Sequence, residues 1–195
     1  MPTPAAALER LQAGNHRFVE GKREHTYRER ERREALVGGQ HPFAVVVGCS
    51  DSRVPPELVF DQGLGDLFTV RVAGNTVDDA LVVGTIEYAV THAGCDVVVV
   101  LGHDQCGAVR AAVDSDGRPL PGHLSAVVDP IVPVVQSLPD TPPDELLDAA
   151  IDANIRRAID HLRANELLAD AIRRDALSVV GRRYRLASGI VENIG

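Results

Sequence analysis

"DVVVVLGHDQCGA" (residues 96–108) decides how the rest of the chain is read. Its unbroken valine-leucine run leaves no polar face, so it fits a strand covered on both sides by helices rather than one with a wet side. The run stops at Gly102, His103 follows at once, and Cys106 stands just before "GAVRAAV", which reads as a helix. A second run, "FAVVVG" (43–48), ends with the same device: Gly48 is followed by Cys49. "DLFTVRV" (66–72) supplies a further strand. Between it and the opening stretch, "TVDDALVVGTIEYAVTHAG" (76–94) is a helix with acids in its first turn and glycine past its end.

Working outward, "PAAALERLQAGNHRFVEGK" (4–22) spaces Leu8, Leu11, Phe18 and Val19 for one or two N-terminal helices. "DSDGRPLPG" (114–122) reads as a loop, and helices are expected at 123–138 and 144–175 around the turn-rich "PDTPPD" (139–144). The end, "ALSVVGRRYRLASGIVENIG" (176–195), reads as a strand, a turn at Ser188-Gly189 and a short last strand. The predicted fold is α/β: an open, mostly parallel central sheet of four parallel strands plus a C-terminal antiparallel edge strand, flanked by helices. One domain, 1–195, is expected, with a helical arm over 1–38 and an α/β core over 39–195.

Composition narrows the function. The 195 residues are 45% hydrophobic and 25% charged, an ordinary globular balance. A formal charge of -8 argues against a nucleic-acid surface. The basic run "KREHTYRERERRE" (22–34) is interleaved with glutamates and reads as a solvated helix face. No secretory signal and no membrane-spanning segment is seen. Three cysteines do not make a disulfide framework, so a cytoplasmic chain with reduced thiols is expected.

Open parallel sheets place ligands beyond the carboxyl ends of their strands. If the two glycine-ended strands are neighbours, Cys49, His103 and Cys106 meet in one crevice. Two thiolates and an imidazole form the Cys2His set of a catalytic zinc with a fourth position open. Cys95 stands at the far end of its strand, and at ~3.3 Å per residue it lies roughly 20 Å from His103, so it reads as a core thiol. His16, His25, His41, His123 and His161 lack a second ligand at useful spacing and read as surface histidines. Two competitors stand beside the metal reading: a cysteine nucleophile and a polar turn that only caps a strand. Phosphatase-type loops put five residues between cysteine and arginine, whereas Cys49 and Arg53 are separated by three. Asp51 and Arg53, two apart, point the same way in an extended segment and can pair.

"CSDSRVPPELVFDQGLGDLFTVRVAGN" (49–75) and "VVLGHDQCGA" (99–108) together resemble the β-class carbonic anhydrases over nearly the whole chain. The resemblance implies one Zn2+ per chain on Cys49, His103 and Cys106, with Asp51 and Arg53 as the catalytic dyad. In that family Asp51 either is held by Arg53, leaving water on the metal, or swings onto the metal and silences the site. Gln40 matches a substrate-hydrogen-bonding position, Phe68 and Tyr88 match apolar cleft walls, and Gly107 a backbone N–H aimed at substrate oxygen. Each has a plainer reading: Gln40 as a loop residue, Phe68 and Tyr88 as core. His92 matches a proton shuttle of some members, or simply suits the carboxyl end of its helix. Members with a noncatalytic bicarbonate site carry tryptophan where this chain has Val46, although Arg71 matches another position of that site.

The implied reaction is reversible hydration of CO2 to bicarbonate and a proton by a zinc-bound hydroxide. Two thiolates neutralise the metal more than three histidines would, which predicts activity rising toward alkaline pH. The same site could hydrolyse carbonyl sulfide or carbon disulfide, or serve a zinc-bearing sensor without turnover. The family is built on dimers whose N-terminal helices reach over a partner, so a homodimer or a dimer-of-dimers tetramer is implied.

Overall fold

A computed structural model describes residues 3–24 and 30–194. In chain order its elements are α1 (Pro4–Val19), α2 (Arg30–Ala35), β1 (Ala44–Gly48), α3 (Pro56–Val59), β2 (Leu67–Arg71), α4 (Ala80–Thr91) and β3 (Val97–His103). There follow α5 (Gly107–Ser115), α6 (Leu124–Val128), α7 (Val132–Gln136), α8 (Leu146–Ala164), α9 (Glu166–Arg173), β4 (Ser178–Tyr184) and β5 (Val191–Ile194). The sheet order is β2-β1-β3-β4-β5. Its first four strands pair in parallel and β5 runs antiparallel to β4. That is the predicted sheet, with the antiparallel strand at its edge.

The valine runs are apolar on both faces because two separate cores use them. Val45, Val47, Val98, Val100 and Val179 pack with Ile86 and Ala89 of α4, Val109 of α5 and Ile151 and Ile155 of α8. Val46, Val97, Val99, Leu101 and Tyr184 face the other way, onto Ala7 and Leu11 of α1 and Val59 of α3. The chain leaves β1 into α3 on one face of the sheet and leaves β3 into α5 on the other, which opens a crevice at the carboxyl ends of these neighbouring strands.

α8 covers β3 and β4 closely. Its buried residues run Leu147, Ala150, Ile151, Asn154, Ile155, Ala158, Ile159 and Leu162, the spacing of one helix face. Glycine lies beneath it for a steric reason: a Cβ on Gly102 would come within 2.5 Å of Ile155 Cδ1.

Several helices are shorter than expected. The helix placed at 76–94 spans only Ala80–Thr91, because the Asp79 side chain accepts from the Leu81 N–H and caps it. The 123–138 segment breaks into α6 and α7, with Pro130 between them and Pro133 in the first turn of α7. The 144–175 segment divides at Asn165, which ends α8 and accepts from Leu168 N–H to start α9. Of the basic run, 30–34 lies in α2, which buries nothing, and 22–24 is not helical; 25–29, with His25, lies outside the described residues. No helix among the described residues is long and apolar enough to cross a membrane.

Candidate metal centre

β1 and β3 are adjacent, with Gly48 opposite Leu101. Their carboxyl ends therefore place Cys49 and His103 side by side. Cys106 follows as the N-cap of α5, with extended backbone that turns its sulfur back toward the strand ends. The three buried side chains offer ligand atoms that all lie within 4.8 Å of one another. The sequence expectation of one crevice holds. Cys95 is buried apart from it, with its thiol 3.5 Å from the Pro42 carbonyl, and burial pushes that thiol up to about 12. His16, His41, His123 and His161 are exposed.

His103 is fully buried, yet its Nε2 has no hydrogen-bond partner. Its Nδ1 lies 2.8 Å from the Asp104 carbonyl, which can only accept. Nδ1 therefore carries the proton, and the Nε2 lone pair faces the two sulfurs. Cys49 and Cys106 Sγ are 4.0 Å apart. Two sulfurs each ~2.3 Å from a tetrahedral ion stand roughly 3.8 Å apart, so the spacing suits zinc and no disulfide. An orphaned imidazole nitrogen costs free energy in a dry site unless something fills it. The residues present fit a thiophilic divalent ion.

The electrostatics favour a first thiolate at Cys49. Donation from the Cys106 S–H, with the backbone N–H groups of Asp51 and Gly74, holds Cys49 well below the usual thiol range despite burial. The same proximity to Cys49, with desolvation, pushes the Cys106 thiol far up. Gly74 N–H stands 3.3 Å from Cys49 Sγ. That approach needs glycine: φ is 71°, and a Cβ there would be 2.9 Å from Ile131 Cδ1. Asn154 of α8 fixes the same turn by donating to the Gly74 carbonyl at 2.9 Å.

Asp51 sits at the mouth. Arg53 grips it through its backbone N–H (2.9 Å), Nε (2.9 Å) and a terminal nitrogen (2.7 Å). Those bonds, chiefly the side-chain pair, hold the Asp51 carboxyl well below the usual carboxylate range. Its Oδ2 lies 3.9 Å from His103 Nε2. Arg71 braces the loop from β2, donating to the Cys49 carbonyl at 2.9 Å and the Asp51 carbonyl at 2.6 Å. Its guanidinium is thus engaged with the ligand loop, and Val46 is wholly buried.

The remaining sequence candidates are more scattered. Gly107 opens α5 next to Cys106, exposed and with open space where a Cβ would stand. Phe68 on β2 is half-buried and lies 6.4 Å from the Tyr88 ring. Tyr88 is 53% exposed, which removes the reading of it as a core residue. Its ring stacks on His92 at 4.9 Å. His92 is the C-cap of α4, and its Nδ1 meets Thr91 Oγ1 at 2.7 Å. Gln40 is exposed in the loop before β1. Sequence reasoning missed the bracing role of Arg71, the Gly74 N–H and the acid cluster around Arg183 described below. A polar turn straight after β2 was the one local signal for the second of these.

Fold and site together define an α/β protein with a Cys2His metal-binding cluster at the carboxyl ends of a parallel sheet. Residues 44–191 match the family model described as carbonic anhydrase. The chain is 41% identical over 189 residues to carbonic anhydrase 2 of Mycobacterium tuberculosis, covering 95% of this chain and 90% of that one. It is 40% identical over 192 residues to carbonic anhydrase of Mycolicibacterium smegmatis, covering 97% and 92%. A tetrameric β-carbonic anhydrase of Sordaria macrospora superimposes with TM-score 0.75 at 28% identity, covering 98% and 95%. A Coccomyxa β-carbonic anhydrase in complex with acetazolamide gives TM-score 0.75 at 25% identity, covering 96% and 86%. The chain belongs to the β-class carbonic anhydrases.

Proposed function

We propose that this enzyme hydrates CO2 reversibly to bicarbonate and a proton, using one zinc ion per chain held by Cys49 Sγ, His103 Nε2 and Cys106 Sγ. The observation that carries the reading is the partnerless, fully buried His103 Nε2 facing two sulfurs 4.0 Å apart, with an ionised Asp51 at the mouth. Zinc, when bound, supplies the Lewis acidity that makes water a nucleophile near neutral pH. Asp51 Oδ2 takes the hydrogen bond of the attacking oxygen, turns its lone pair toward the carbon and passes the proton outward. Arg53 keeps Asp51 ionised and turned to the mouth of the site. The Gly107 N–H, at the positive end of α5, donates to the substrate oxygen that gains charge.

Gln40, Phe68 and Tyr88 complete the substrate cleft in this reading, and His92 relays protons at its rim. A homodimer, alone or paired into a tetramer, serves the same end. α4 leaves Leu81 79% exposed, about two turns before the exposed Tyr88 on the same helix, and a second copy would cover this face. The whole of 1–195 then acts as one domain; within the segment 1–38 expected to be an arm, α1 covers its own sheet through Ala7 and Leu11 rather than reaching out of the chain. Three free cysteines suit a reducing compartment such as the cytoplasm. Stopped-flow CO2 hydration on protein of known zinc content tests the proposal. Turnover should scale with zinc loading, and zinc-replete protein without turnover would refute it.

A further inference from the structure

Arg183 is the largest fully buried side chain among the described residues, 2% exposed on β4. A guanidinium so placed is costly unless its donors are filled. Here three carboxylates fill them. Asp104 accepts from Nε at 2.8 Å, Asp152 from one terminal nitrogen at 2.9 Å, and Asp148 from the other at 2.8 Å. The Asp148 carbonyl takes a further bond at 3.1 Å. Arg185 brings a second cation to Asp104 at 3.1 Å. The cluster therefore ties β4 and the first turns of α8 to the single residue that follows the ligand His103.

Asp104 is held at every polar group. Two arginines grip its carboxylate, its N–H donates to the Tyr184 carbonyl at 3.1 Å, and its own carbonyl accepts the His103 Nδ1 proton at 2.8 Å. That last bond sets the rotation of the imidazole and keeps its lone pair on Nε2. We infer that Asp104 and Arg183 are positioning residues for His103, holding the ring in the tautomer and orientation a metal ion requires. Outer partners of this kind raise metal affinity without touching the metal. The inference rests on the zinc reading above.

Asp104→Asn keeps the side-chain shape and removes the charge that both arginines grip, and Arg183→Lys keeps the charge and loses the fork. The full chain would be titrated with zinc against a chromophoric chelator, and the urea midpoint of the metal-free form measured alongside. Zinc affinity should fall ~10–100-fold in both variants. Their Co2+-loaded forms should show shifted visible bands. Leu168→Ala, a cavity in α9 away from the cluster, should lower the midpoint while leaving zinc affinity unchanged. Unaltered zinc affinity in Asp104→Asn would overturn the inference. So would an equal loss in Leu168→Ala at matched midpoint, which would make the effect one of general stability. If Arg183→Lys fails to fold, Asp104→Asn decides alone. A wild-type chain that takes up no zinc would end the zinc reading and this inference together, whereas a zinc-binding wild type with an indifferent Asp104→Asn rejects this inference only.

Discussion

At the scale of single residues, the pair Cys49 and Cys106 carries the sharpest predictions. Cys106→Ser removes a soft ligand and leaves a hydroxyl in its place, so dialysed protein should retain no zinc and hydrate no CO2. Asp51→Asn keeps every proposed ligand, so it should bind zinc normally while kcat falls ~10²–10⁴-fold, the usual reach of a positioned acid-base group. Thiol reactivity separates the three cysteines. In metal-free protein Cys49, held below the usual thiol range, should be alkylated ahead of Cys106 and Cys95, and zinc should protect it. Cys95, pushed up to about 12, should react only after unfolding. Asp51 sets an acid limit with a defined sign: its folded value lies below the ordinary 3.8. The Asp51–Arg53 pair thus contributes fully to stability above 3.8, and the contribution is lost as pH falls from there through the lower folded value. Activity lost as pH falls toward 6 should therefore track the metal-activated water rather than Asp51 protonation. The ligand cluster was legible in the sequence because two strands end in the same way, glycine then ligand. Arg183 and Asp104 were not, because they meet across 79 positions and leave no local spacing to read.

At the scale of elements, strand positions followed from composition: runs of valine with no polar face have few alternatives. Helix limits were less legible. Asp79 and Asn165 redirect backbone N–H groups at points where hydrophobic spacing continues, and Pro130 interrupts a segment that otherwise patterns as one helix. The tight seat of α8 on the sheet gives a test. Gly102→Ala should cost about 1–3 kcal/mol of stability through overpacking against Ile155. Adding Ile155→Val, which removes the obstructing Cδ1, should recover part of that loss in urea unfolding. Strictly additive losses would mean that α8 is not seated as described.

At the scale of the molecule, the apolar surface of α4 argues for assembly. Leu81→Asp should shift sedimentation toward monomer and lower turnover together, because the proposed cleft residue Tyr88 lies on the same helix. A monomer with full activity would detach the cleft from the interface. The make-up of the sheet, four parallel strands and an antiparallel edge, was readable from the chain, whereas its strand order and the exposed face of α4 were not, since an exposed leucine looks the same in sequence as a buried one. The most direct test of the zinc account is CO2 hydration across pH 6.5–9, measured with metal content on the same samples. The account predicts about one zinc per chain, turnover rising toward alkaline pH, loss on chelation and recovery on zinc addition. Full turnover in protein stripped of zinc would contradict it.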